Sequence, residues 1–187
     1  LHCGAEVFFL PNLIQIKDDP LSTFNHGKYM LIEFQVHQLP DSQKQQLFDL
    51  KMAGVTPIIA HPERYKPIQD DINIVAEWLA AGCIIQVDAG SPLGYLGSGS
   101  QAASEKIIKN GWCQILESDS HDNKRRNFCL LEAVELIKSW GEYDVDVLVQ
   151  KNPKSVIDGT PISVDFEYEQ EQNSNFFSRI KDRIGLS

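Results

Sequence analysis

The chain has 187 residues, 42% of them hydrophobic and 23% charged, which supports a buried core and excludes a disordered segment. At about 100 to 200 residues per domain, one folded domain is expected. Lys and Arg number 17 against 26 Asp and Glu, so the net charge is −9, and such a surface repels phosphate backbones and argues against a nucleic-acid binder.

The chain opens Leu1-His2-Cys3-Gly4, with neither an initiator Met nor a signal-peptide core, and no apolar run approaches the ~20 residues that cross a bilayer. The expectation is a cytoplasmic protein truncated at its N-terminus. Short β-branched or aromatic runs at 6–10, 28–34, 55–60, 83–87 and 112–116 read as strands. Residues 11–25, with Pro11 and Asp18-Asp19-Pro20, read as an irregular connection. Helical segments are expected over 41–53, 72–81 and 102–110, each stopped by a glycine, at Gly54, Gly82 and Gly111. A further amphipathic helix covers 128–140, and Asn152-Pro153 offers an N-cap followed by proline at the first helical position. Repeated β/α units of this length imply a parallel α/β sheet, open or closed into a barrel. The folded domain is expected over 1–165. Residues 166–187 form an acidic, then basic and amphipathic tail, read as frayed or as docking on a partner or membrane surface.

Cys3, Cys83, Cys113 and Cys129 form no C-x-x-C pair, so a zinc ribbon and a thioredoxin-type motif are both excluded, and reduced, mostly buried thiols are expected. None is followed six residues later by Arg, so any phosphatase chemistry here is thiol-free.

Polar residues recur at the strand ends: Glu6, Glu33, His61, Asp88 and Asp119, at separations of 27, 28, 27 and 31 residues, one β/α unit each. In parallel β/α folds the C-terminal strand ends form the ligand-binding mouth, so these groups should converge there. If 119–121 is extended, Asp119 and His121 point to the same face. Carboxylates mixed with imidazole and free of thiolate suit Mn²⁺, Fe²⁺ or Zn²⁺, and such a centre suits phosphoester hydrolysis. Arg64 can offer a bidentate fork to phosphate, as can Arg125 and Arg126.

Each residue also has an ordinary reading. A lone acid at a strand end caps a helix or joins a salt bridge. Arg64 could pair with Asp70 or Asp71, and Gly90-Ser91 could cradle an anion or simply turn the chain. His2, His26 and His37 lie in loop-like contexts and read as exposed. Gly97-x-Gly99-x-x-Ala102, with Glu117 at the end of the next strand, imitates a dinucleotide fingerprint, but its strand ends about nine residues too early for the required tight turn.

The motifs Leu31-Ile32-Glu33-Phe34, Ile59-Ala60-His61-Pro62-Glu63-Arg64, Gln86-Val87-Asp88-Ala89-Gly90-Ser91 and Ser118-Asp119-Ser120-His121, followed by Arg126-Asn127-Phe128, resemble the polymerase-and-histidinol-phosphatase (PHP) superfamily. The resemblance is closest to bacterial manganese-dependent tyrosine phosphatases that regulate capsule and exopolysaccharide synthesis, and it runs from about 6 to 162. It implies a distorted (β/α)₇ barrel holding two or three metal ions, usually manganese, with Glu6, Glu33, His61, Asp119 and His121 as ligands and Arg64 and Arg126 holding the phosphate. It further implies a metal-activated hydroxide as nucleophile, no phosphoenzyme, and a substrate in the tyrosine-rich tail of a partner autokinase.

The chain also departs from that pattern. The family's opening His-x-His strand and the Asp and His that follow it are missing, and His2 is too close to Glu6 to replace them. An incomplete barrel is therefore expected, with weak metal binding and little activity from this piece alone. Gln35 stands where proline is usual and Asp88 where a small hydroxyl residue is usual, which leaves substrate details open. Two alternatives stand beside the tyrosine phosphatase: a phosphoesterase for a small substrate such as histidinol phosphate, and a non-catalytic scaffold.

Overall fold

The computed structural model describes residues 4–24, 27–121 and 128–164. Five strands, β1 (Glu6–Phe8), β2 (Tyr29–Glu33), β3 (Thr56–Ala60), β4 (Ile84–Asp88) and β5 (Ile115–Glu117), pair in chain order, every pair parallel. Among the described residues the sheet is open, with β1 and β5 at its edges.

Six helices accompany it: α1 (Gln43–Met52), α2 (Lys66–Asp70), α3 (Asn73–Ala80), α4 (Ser98–Lys109), α5 (Leu130–Trp140) and α6 (Asn152–Asp158). The three glycines expected to stop helices all hold left-handed backbone, at φ of +86° (Gly54), +82° (Gly82) and +70° (Gly111), a conformation that favours glycine. Residues 11–24 are irregular apart from a 3₁₀ turn at Leu13–Ile16, which is anchored by fully buried Leu13 and by its N–H donating to Gln46 Oε1 at 3.1 Å.

Three details differ from expectation. α4 begins four residues earlier than the sequence suggests, at Ser98, because Gly99 tucks against Gln69, where a Cβ would meet the amide oxygen at 2.5 Å. An extra helix, α2, follows the His61-Pro62-Glu63-Arg64 turn. Asn152 is the first residue of α6 and not its cap: its Nδ2 donates to the Gln114 carbonyl at 2.8 Å, tying α6 to the approach of β5.

The strand register sorts the sheet into two faces. Val7, Met30, Ile32, Ile59, Ile85, Val87 and Leu116 point one way, into a large core with Leu47, Leu50, Trp78, Leu79, Ile107 and Ile137 of the helices. Tyr29, Ile58, Ile84 and Ile115 point the other way and meet Val156 in a smaller cluster. On that second face this cluster lies toward the N-terminal strand ends, while Glu33, Asp88 and Glu117, the last residues of β2, β4 and β5, occupy the C-terminal ends beside Phe8 and Ala60. Cys83 and Cys113 are buried and free, and Cys129 is free and half-buried. Cys3, His2, His26 and the 166–187 tail lie outside the described residues.

Candidate metal centre

Glu33 and Asp88 end their strands as expected, whereas Glu6 is the first residue of β1. Glu6 shares the face of Glu33, since Phe8 pairs with Glu33 and Glu6 lies two residues before it. From there its Oε1 comes to 3.0 Å from His61 Nε2, and Glu33 Oε1 lies 3.6 Å from the same nitrogen. One ligand atom from each of Glu6, Glu33 and His61 falls within 4.8 Å of the others.

His61 follows β3 directly, where strand alternation would send its side chain to the helix-covered face. Its backbone is left-handed (φ 30°, ψ 55°), and this turns the ring toward the two glutamates. The ring is 2% exposed and meets Tyr65 edge-on at 5.9 Å. Its Nδ1 is buried without a hydrogen-bond partner among the described residues. Hydrogen bonding to His61 holds the Glu6 carboxyl below its ordinary range against the opposing effect of burial.

Asp119 is the other non-glycine residue in the left-handed region among the described residues, at φ 39°. β5 ends at Glu117, so a turn and not an extended strand brings Asp119 and His121 together. His121 Nδ1 lies 2.7 Å from the Asp119 carbonyl oxygen and 3.4 Å from Asp119 Oδ1, with the ring 56% exposed. Arg64 Nη1 donates to Asp119 Oδ2 at 2.8 Å and lies 3.8 Å from Asp88 Oδ2. The surface pair with Asp70 or Asp71 does not form: Lys66 bonds Asp70, and Asp71 accepts the Asn73 N–H. Arg125 and Arg126 lie outside the described residues.

Gly90 donates its N–H to Asp88 Oδ1 at 2.8 Å and Ser91 donates its N–H to the Asp88 carbonyl at 3.0 Å, so this segment turns the chain and does not cradle an anion. Nine residues, 89–97, separate β4 from α4, and Glu117 Oε2 accepts the Asp119 N–H, so the dinucleotide reading finds neither its tight turn nor a free acid.

Two acids beneath the mouth carry structure that strand-end spacing does not reveal. Glu63 is fully buried, and burial pushes its carboxyl up to about 7. Burial, with the negative charges of Asp88, Glu63 and Glu6, pushes Glu117 up to about 9. Glu63 lies in a motif that stands out in sequence, yet no periodicity separates an inward glutamate in a turn from an exposed one.

The donor set fits a divalent cation. Four acids (Glu6, Glu33, Asp88 and Asp119), with Glu117 holding its proton beside them, meet one described arginine at this end of the sheet, an imbalance that a cation relieves. Carboxylate oxygens with an imidazole nitrogen, and no thiolate, suit Mn²⁺, Fe²⁺ or Zn²⁺.

Residues 1–158 match the model of the family described as capsular polysaccharide synthesis, CpsB/CapC. The CapC protein of Staphylococcus aureus is 29% identical over 178 residues, covering 95% of this chain and 70% of its own length. The tyrosine-protein phosphatase YwqE of Bacillus subtilis is 28% identical over 137 residues, 73% of this chain and 54% of its own, and the tyrosine-protein phosphatase CpsB of Streptococcus pneumoniae 27% over 161 residues, 82% and 66%. This chain thus spans between about half and seven-tenths of these relatives. A chain from the crystal structures of YwqE from Bacillus subtilis and CpsB from Streptococcus pneumoniae, described as metal-dependent tyrosine phosphatases, shares its fold at a TM-score of 0.79 and 25% identity, over 86% of this chain and 65% of that one. The same arrangement of strands and helices is thus found in a solved relative, and the match over 158 residues makes this chain a member of the CpsB/CapC capsular polysaccharide synthesis family.

Proposed function

We propose that the chain belongs to a metal-dependent phosphatase that hydrolyses phosphotyrosine on a partner bacterial tyrosine kinase, in the cytoplasm, and so regulates capsule or exopolysaccharide synthesis. The observation that carries this is the convergence of Glu6, Glu33 and His61 within 4.8 Å beside Arg64, in a chain whose relatives are named tyrosine phosphatases. Glu6, Glu33, His61, Asp119 and His121 hold the metal in this reading, and the five strands are an arc of a PHP-type (β/α)₇ barrel over 1–165. Manganese is the metal expected from the family resemblance, and iron and zinc suit the same donors.

A bound divalent ion supplies a lowered pKa for water and a positive field for the developing charge at phosphorus. The chain's own residues do the rest. Glu6 and Glu33, already poised around His61 Nε2, provide carboxylates that need little reorganisation. Arg64, released from Asp119 and Asp88, turns its fork to the phosphate oxygens, and Arg126 adds a second fork.

The test is phosphate release from a phosphotyrosyl peptide and from histidinol phosphate, by this chain with manganese and then with excess chelator. Slow, chelator-sensitive release from the peptide, lost in Glu33→Gln and His61→Ala, is the expected result. Release only from histidinol phosphate would move the substrate to small phosphoesters. No chelator-sensitive release from either, with both variants taking up as much metal as the parent, would make the chain a non-catalytic scaffold.

A further inference from the structure

Glu63 is an expensive residue to place where it stands. A carboxyl removed from water loses its hydration, and an apolar side chain of similar volume would pack the site at lower cost. Its Oε1 accepts the Asp88 N–H at 3.1 Å and the Ser91 hydroxyl at 2.7 Å, and both bonds are buried. Ser91 is itself fully buried. The Glu63 carbonyl accepts Gln69 Nε2 at 3.0 Å, so the turn is held from α2 as well. Glu63 Oε2 is buried with no hydrogen-bond partner among the described residues.

The residues on either side of this carboxyl are the ones the site uses. Glu63 and Arg64 lie in the 3₁₀ turn Pro62–Arg64 that follows β3, His61 stands at its start, and Asp88 ends β4. His61 holds a left-handed backbone, which is costly in a non-glycine residue and persists only where the surroundings over-determine it. The bonds from Glu63 pin that turn to the β4 end, and they leave the Asp88 carboxylate to accept Gly90 N–H through Oδ1 while Oδ2 faces Arg64.

We infer that Glu63, with Ser91, is a positioning residue: a buried carboxyl clamp that fixes the turn bearing His61 and Arg64 against the end of β4, and so sets the spacing of the metal and phosphate groups. The inference rests on the phosphatase reading for its purpose and on hydrogen-bond geometry for its existence. The clamp touches neither substrate nor metal. Its carboxyl acts through the Asp88 amide and the Ser91 hydroxyl, and glutamine preserves the oxygen that accepts both bonds.

Two measurements on the full chain test it. Manganese titration calorimetry, well below the melting temperature, compares the parent with Glu63→Ala, Glu63→Gln and Ser91→Ala. Hydrogen exchange on the metal-free proteins follows peptides covering 61–65 and 88–91. The clamp predicts affinity weakened at least ~tenfold in Glu63→Ala and about threefold in Ser91→Ala, with Glu63→Gln within threefold of the parent, in the range seen when groups supporting metal ligands are lost. It also predicts faster exchange in 61–65 and 88–91 for Glu63→Ala and Ser91→Ala, with β1 and α5 unchanged. A purely structural role lowers the melting temperature and leaves manganese affinity of the folded protein intact, and that result overturns the inference, as does exchange that rises evenly over the chain. Should Glu63→Ala fail to fold, Ser91→Ala decides, since it removes one hydroxyl; unchanged exchange at 88–91 in that variant rejects the clamp. If the parent takes up no manganese, the phosphatase reading fails while the exchange comparison still decides the clamp.

Discussion

His61 and Asp119 share a property that strand-end spacing does not announce: each sits in the left-handed region, at φ of 30° and 39°, where residues other than glycine are uncommon. Strain of this kind concentrates at functional sites, because it aims a side chain where regular backbone would not. Asparagine tolerates the same conformation and matches aspartate in shape, so Asp119→Asn separates charge from backbone. We expect it to lower the melting temperature of the metal-free protein only slightly, since it weakens the Arg64–Asp119 ion pair while removing one acid from an acid-rich cluster, and manganese affinity to drop at least ~tenfold by calorimetry. A large loss of stability would assign Asp119 to the fold instead. Arg64→Lys keeps the charge but loses the planar fork, and it should raise KM for a phosphotyrosyl peptide about tenfold with manganese uptake intact. At this scale the sequence is informative where chemistry repeats with the β/α unit: the spacing places Glu33 and His61 at neighbouring strand ends, and the fold brings them to 3.6 Å, whereas Asp119 lies two residues past the end of β5 in left-handed backbone that spacing does not announce. Glu63 and Glu117 are not legible from spacing, since their significance comes from burial, and burial of an acid leaves no trace in periodicity.

Between residues and the whole lie the junctions. After α1, α3 and α4 the next strand begins two to four residues beyond the stopping glycine (Gly54, Gly82, Gly111), and at Gly54 a Cβ would meet nothing within 4 Å. Gly54→Ala therefore isolates backbone strain from crowding, and it should destabilise by about 1 kcal/mol in denaturant unfolding with metal binding unaffected. Tyr65 performs a different junction. Its hydroxyl donates to the Ala60 carbonyl at 2.6 Å and accepts the Phe34 N–H at 3.0 Å, joining the ends of β3 and β2 directly beneath His61. Its ring meets Phe34 edge-on at 6.0 Å, and Phe34 stacks on Trp78 and Phe9. Tyr65→Phe keeps the ring and leaves two buried backbone groups unpaired, so a loss of about 1–3 kcal/mol is expected. Unchanged unfolding would mean that the backbone re-pairs locally. The strand and helix series was legible because glycines and β-branched runs mark it; the start of α4 was not, because Ser98-Gly99-Ser100 reads as loop until Gly99 is seen packed on Gln69.

Across the whole molecule, one sheet face is sealed by helices and the other carries acids at one end, so the chain stores uncompensated carboxyl groups in a partly enclosed place. This gives the metal-free protein an unusual pH profile. Glu6 has its carboxyl below the ordinary 4.5, so its contribution is present above that value and is lost as pH falls through its folded pKa. Glu63 and Glu117 behave oppositely: raised to about 7 and about 9, they keep protons that the unfolded chain releases near 4.5. Between those limits the folded state binds more protons than the unfolded state, so raising the pH favours unfolding, by up to about 1.4 kcal/mol per pH unit for each group. The loss from Glu63 levels off above about 7 and that from Glu117 above about 9. Thermal melting in excess chelator should therefore be highest near pH 5 and decline steadily toward pH 9, with a shallower decline in Glu117→Gln, which has no proton to lose. Manganese at 100 times its dissociation constant should restore about 2.7 kcal/mol at pH 8, and less at pH 5, where protons compete for the same carboxylates. A chelated protein whose stability did not fall from pH 5 to pH 8 would show that Glu63 and Glu117 ionise in the fold much as they do in the unfolded chain.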